Sequence, residues 1–71
     1  MSKFAKGQQV SWDLGNGEAD GTIVDRFDRK VARRIGGRIV TRYGSLENPA
    51  YLITLRDGAE VLMFGSELRR D

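Results

Sequence analysis

The run Tyr51-Leu-Ile-Thr-Leu-Arg-Asp-Gly-Ala-Glu-Val-Leu-Met-Phe64 decides the fold. In its first half Tyr51, Ile53 and Leu55 fall on one face and Leu52, Thr54 and Arg56 on the other, which is the period-2 pattern of a strand. Arg56-Asp57-Gly58 then supplies turn chemistry, and Glu60 to Phe64 forms the return strand. That return strand is apolar on both sides, as expected inside a closed sheet with one face on the core and the other partly covered. No stretch of the chain keeps apolar residues at a 3.6-residue period for three turns, so the protein is expected to be all-β.

Upstream of this hairpin, Tyr43 to Pro49 is a connection whose turn formers are Gly44 and the Asn48-Pro49 pair. Before it, Val31 to Arg42 contains Ile35-Gly36-Gly37-Arg38, and two glycines in succession suit a two-residue hairpin loop because both positions need positive φ. The register then follows. Ile35 opposes Arg38, Arg33 opposes Val40 and Val31 opposes Arg42, which puts Arg33, Arg38 and Arg42 on one face and Arg34 with Ile39 on the other. Neither face is cleanly apolar, so this hairpin is expected to project partly from the barrel. Ala19 to Phe27 reads as a strand in which Ile23 and Val24 break the alternation, with Gly21 the expected bend or bulge. Gln8 to Trp12 reads as the first strand, with Val10 and Trp12 inward, and Asp13 to Glu18 as the loop after it. At the other end Gly65 to Leu68 is expected to form a short turn in which Ser66 caps backbone donors and Leu68 seals the core.

At 71 residues the chain makes a single domain, 1–71, with one small core. With no Cys and no His there is no disulfide framework, no thiolate or imidazole metal site and no His or Cys catalysis. Carboxylate pairs such as Asp25 with Asp28 lack an enclosing environment that would separate their pKa values, and neither Gly15-Asn16-Gly17 nor Gly36-Gly37 completes a phosphate-cradling loop. The expected function is non-catalytic, with no cofactor and no metal. No apolar run is long enough to span a membrane, and Met1 to Lys6 lacks the apolar segment of a signal peptide. A cytoplasmic monomer that does not engage membranes is therefore expected.

Formal net charge is only +2, but it is unevenly placed. Residues 25–42 carry Arg26, Arg29, Lys30, Arg33, Arg34, Arg38 and Arg42 against Asp25 and Asp28, a local excess of +5, while the rest of the chain stands at −3. A patch, rather than total charge, is what phosphate binding needs, and the Arg fork suits phosphate. The competing reading is a set of solvated charges that keeps a small β protein from pairing its edges.

Several stretches carry a resemblance over nearly the whole chain: Phe4-x-Lys6-Gly7-x-x-Val10-x-Trp12, Gly21-Thr22-Ile23-Val24, Gly37-x-x-x-x-Arg42, Asn48-Pro49-Ala50-Tyr51-Leu52-Ile53, Asp57-Gly58 and Ser66-Glu67-Leu68. Together they resemble the hypervirulence-associated Tudor-like domain family. The resemblance implies a small SH3-like or Tudor-like barrel of about five strands, of a kind found mostly as small bacterial proteins, and brings no settled molecular activity with it. The Tudor label invites an aromatic cage for a methylated side chain. The six aromatics are spread one per element, however, and Trp12 and Tyr51 read as core, their polar edges meeting backbone carbonyls, while Tyr43 is the ring expected at the surface.

Two functions from different classes follow as expectations. The first is low-specificity binding of RNA or DNA phosphates by Arg33, Arg38 and Arg42, helped by Arg26, Arg29, Lys30 and Arg34, with Tyr43 stacking on a base. The second is a protein or peptide partner held in a barrel groove or on a sheet edge, with the Arg ribbon favouring acidic partners.

Overall fold

Among the described residues there are seven strands and one short helical turn: β1 (Gln9–Asp13), β2 (Glu18–Phe27), β3 (Lys30–Ile35), β4 (Arg38–Tyr43), β5 (Ala50–Thr54), β6 (Glu60–Phe64), a 3-10 turn at Gly65–Glu67 and β7 (Arg69–Arg70). They are seen in a computed structural model that describes residues 4–70. Part of the stretch read for a signal peptide, residues 1–3, lies outside the described residues.

Five strands form one antiparallel sheet in the order β6-β5-β2-β1-β7. Strands β3 and β4 form a separate two-stranded sheet. Without that hairpin, β1, β2, β5 and β6 are a simple meander, and the short β7 returns to the free edge of β1, the topology of a small SH3-like or Tudor-like barrel. The Arg-rich hairpin is thus an insertion between two paired neighbours, β2 and β5.

Strand β5 is the centre of the packing, because both of its faces are covered. Tyr51 and Ile53 point into a cluster with Phe4, Val10, Trp12, Ile23 and Leu68. Ala50 and Leu52, on the opposite face, join Val31 and Leu62 in a second cluster, against which Phe27, Ile35 and Val40 pack. One face of the hairpin therefore roofs this second cluster from Val31 to Ile35, the residue before the loop, so the hairpin lies along the sheet with its other face open, and the expected projection is not found. The same arrangement explains why β6 is apolar on both sides. That strand is not interior to a closed sheet as expected: it is an edge strand bonded only to β5, with Val61 and Met63 on the first cluster and Leu62 in the second.

Three further expectations change at the level of single residues. The bulge of β2 lies at Val24, where the register passes from Ile23 opposite Ile53 to Asp25 opposite Leu52, and not at Gly21. Gly21 instead permits close approach of β5, since a Cβ there would stand 2.5 Å from Ile53 Cγ2 and 2.8 Å from the Thr54 carbonyl oxygen. The fully buried Tyr51 hydroxyl accepts a hydrogen bond from the Phe4 N–H (3.1 Å) and so holds the entry of the chain across the core, whereas a carbonyl partner was expected. In the 3-10 turn the capping oxygen belongs to Glu67, whose Oε1 accepts from the Phe64 N–H at 2.8 Å. Ser66 is held rather than holding, because its N–H donates to Asn48 Oδ1 at 3.0 Å. Leu68 is buried in the first cluster, as its apolar side chain after the turn requires.

Candidate functional site

The site residues named from the sequence lie on one element and its flanks. Gly36 (φ 58°) and Gly37 (φ 81°) form the two-residue loop that joins β3 to β4, and both need the left-handed region that a side chain disfavours. The register is Val31 with Arg42, Arg33 with Val40 and Ile35 with Arg38, alternating with Lys30 and Tyr43, Ala32 and Thr41, and Arg34 and Ile39. Residues directly opposite each other in an antiparallel pair share a face, so the ribbon has two chemically different sides.

The inward side carries Val31, Arg33, Ile35, Arg38, Val40 and Arg42. Val31 is buried and Ile35 and Val40 are half-buried against the second cluster. Arg42 is half-buried with them, and its Nη1 donates to the neighbouring Thr41 carbonyl at 2.9 Å. Arg33 and Arg38, nearer the tip, are exposed. The Arg33 guanidinium lies 5.9 Å from the centre of the Phe27 ring, within cation–π range.

The outward side is open to solvent over most of its length. Lys30, Ala32 and Arg34 are exposed, Ile39 is 61% exposed and Tyr43 is 69% exposed. The Lys30 ammonium stands 5.6 Å from the centre of the Tyr43 ring. Arg29 is exposed in the two-residue link between β2 and β3, and Arg26 is half-buried in β2, where its Nε has no hydrogen-bond partner among the described residues. Tyr43 and the Arg33, Arg38, Arg42 trio therefore share an element but not a face. Parity along the hairpin already contained this separation, since Tyr43 is one residue out of step with Arg42. Ile39 is the surface residue that a charge-based reading passes over, although its pairing with Arg34 put it on that same outward face.

Charge pairing sets the cations of residues 26–42 apart from Lys6, Arg56 and Arg69. Among the described residues there are three ion pairs: Lys6 with Asp25 at 3.6 Å, Arg56 with Asp20 at 3.3 Å, and Arg69 with Glu18. None involves Arg26, Arg29, Lys30, Arg33, Arg34, Arg38 or Arg42. Asp25, one of the two acids within the basic stretch, is already engaged by Lys6, which leaves Asp28 to oppose seven cations. A ribbon of unneutralised Arg on a protein of small total charge concentrates positive potential on one element.

A second concavity lies beside the hairpin. A groove of about 280 Å³ between β4 and β6 is lined by Ile35, Val40, Arg42, Val61, Leu62 and Met63. Its two walls are strands whose facing edges are not hydrogen-bonded to each other, since β4 pairs only with β3 and β6 only with β5. Most of the aromatic rings belong to packing: Phe4, Trp12 and Tyr51 are buried in one cluster, Phe4 and Tyr51 meeting edge to face at 5.6 Å, and Phe27 lies against the other. Among the described residues no group of three acidic side chains is placed to hold a metal ion, and no helix is long and apolar enough to cross a membrane.

Comparison with known proteins bears on what such an arrangement is. The family described as hypervirulence associated proteins TUDOR domain matches residues 7–68. No curated protein and no solved structure matches the chain.

Proposed function

The chain belongs to the hypervirulence associated protein Tudor domain family, and from that membership we propose a small binding module that holds nucleic acid by its phosphates, with little sequence selectivity, on the Arg-rich hairpin. A Tudor-like domain is a binding module; the ligand is argued from the site. The observation that carries it is the absence of any ion pair to the seven cations of residues 26–42 among the described residues, while Lys6, Arg56 and Arg69 are each paired. Cations already held by a carboxylate must lose that partner before they meet a phosphate. Unpaired Arg has no such cost, and each contact releases counterions from the polymer.

Arg33 and Arg38 near the tip, Arg34 on the outward face, and Arg29 and Lys30 at the base make the phosphate contacts. Arg42 and Arg26, both half-buried, add to the local field. A two-stranded ribbon is only about 5 Å wide, so the long side chains of Arg33 and Arg38, both exposed, reach around its edge. The contacts are to backbone charge, which positions a ligand without reading its bases.

The test is fluorescence anisotropy with a labelled mixed-sequence RNA, in about 50 and about 200 mM salt, on the protein and on the combined Arg33→Ser, Arg38→Ser and Arg42→Ser variant. Affinity is expected to fall steeply with salt and to drop strongly in the variant, which keeps only Arg29, Lys30 and Arg34 as phosphate contacts. Equal binding by the variant would exclude the proposal.

The groove between β4 and β6 supports a second reading, an extended acidic peptide whose apolar side chains meet Val40, Val61 and Met63 and whose carboxylates meet Arg42. Two free strand edges and a cation at the rim suit such a ligand. Here the salt dependence would be shallow, and Met63→Glu would weaken binding more than loss of Arg33 or Arg38.

A further inference from the structure

The outward face of the hairpin combines two things that phosphate binding alone does not call for. Tyr43 and Ile39 are large apolar side chains, 69% and 61% exposed, on the same face of the same strand. Each stands directly opposite a cation on β3: Lys30 opposite Tyr43 and Arg34 opposite Ile39. The four-residue step from Ile39 to Tyr43 corresponds to about 13 Å along the strand. The face is thus a repeat of two units, each an apolar platform with a positive charge beside it, and the Lys30 ammonium lies over the Tyr43 ring.

We infer that this face is a stacking platform for unpaired bases and that the module selects single-stranded nucleic acid over duplex. The inference rests on the phosphate-binding reading of the same hairpin. A single strand presents its bases and phosphates on different sides of one flexible backbone, so bases lie on Tyr43 and Ile39 while neighbouring phosphates meet Lys30 and Arg34. Stacking accepts every base, because each has a π face, which agrees with low sequence selectivity. A duplex keeps its bases stacked on one another and offers this face only phosphates and groove edges, leaving both apolar side chains without a partner. The inward side offers no second platform, because Val31 is buried and Ile35 and Val40 are half-buried on the second cluster.

The experiment compares three labelled probes by anisotropy in low salt: oligouridine and oligothymidine of about twelve nucleotides, and a mixed-sequence DNA duplex of the same length. Single strands are expected to bind about tenfold more tightly than duplex. Tyr43→Ala is expected to remove about that factor for single strands and to leave duplex affinity unchanged, while Tyr43→Phe keeps the preference. Far-UV circular dichroism should report an unchanged fold in both variants, because the side chain is exposed. Duplex binding as tight as single-strand binding overturns the inference and leaves phosphate binding standing. So does a Tyr43→Ala variant that loses nothing, or loses equally on all three probes. Failure of every probe to bind overturns the phosphate reading itself, and the inference with it.

Discussion

Around the five-stranded sheet Lys6, Arg56 and Arg69 sit against Asp25, Asp20 and Glu18, with Arg26 and Arg70 left unpaired, whereas on the hairpin inserted between β2 and β5 no cation at all has a carboxylate partner among the described residues. Burial divides the same way. Every residue of the first cluster lies outside the hairpin, which contributes to the second cluster only from one of its two faces. One region is organised to be stable and carries most of the acids. The other is supported along one face and left charged and open on the other. A domain this small cannot leave many groups unsatisfied, so unpaired charge is tolerated where solvent, rather than protein, surrounds it.

The largest effect that could break this contrast belongs to the sheet. Trp12→Ala removes a side chain that is 5% exposed in the first cluster, and is expected to destabilise the protein by about 3–5 kcal/mol in urea unfolding, enough to leave little of it folded. A folded Trp12→Ala protein that had lost ligand binding would move Trp12 from the core to the site. Salt sharpens the contrast from the other side. If the hairpin neutralises about four phosphates of a single strand, affinity should drop roughly fiftyfold between about 50 and 200 mM salt, a slope that a titration series reads directly.

Asn48→Ala tests the junction that ties the 3-10 turn to the chain before β5. Loss of the Ser66 N–H to Asn48 Oδ1 bond is expected to cost about 1 kcal/mol in urea unfolding without touching affinity. The smallest effect is the control. Arg56→Ala and Arg69→Ala each remove a paired, largely exposed cation, and both stability and nucleic-acid affinity are expected to change by less than about 0.5 kcal/mol. A loss of affinity in either equal to that caused by Arg33→Ser would erase the distinction between the two regions.

What could be read from the residues was governed by local rules. Gly36-Gly37 fixes a two-residue loop, and that loop fixes the register of β3 and β4, so every predicted pair of the hairpin is found. The alternation at Tyr51 to Leu55 gave β5 its two faces for the same reason. Contacts between elements distant in sequence were not legible. Gly21 is required by Ile53 and Thr54 across the sheet, while the bulge falls one strand turn later at Val24. The doubly apolar β6 looked interior because nothing in its own residues says that an inserted hairpin will cover its second face. Ion pairing belongs to the same class: whether Arg56 meets Asp20 depends on the fold bringing together residues 36 apart. For the candidate site, the cations and the exposed Tyr43 were legible from composition and position. The division of Tyr43 and the Arg trio between opposite faces needed only the parity of the predicted register, and the docking of one of those faces needed the structure.

The central claim, that the unpaired cations of the hairpin are where this domain meets its ligand, is tested most directly by an NMR chemical-shift titration of the labelled protein with single-stranded RNA at low and moderate salt. Shifts confined to residues 26–43, largest at Lys30, Arg34, Ile39 and Tyr43 and fading as salt rises, are the predicted result. Shifts centred on the paired face of the five-stranded sheet, or none at millimolar RNA, would contradict it.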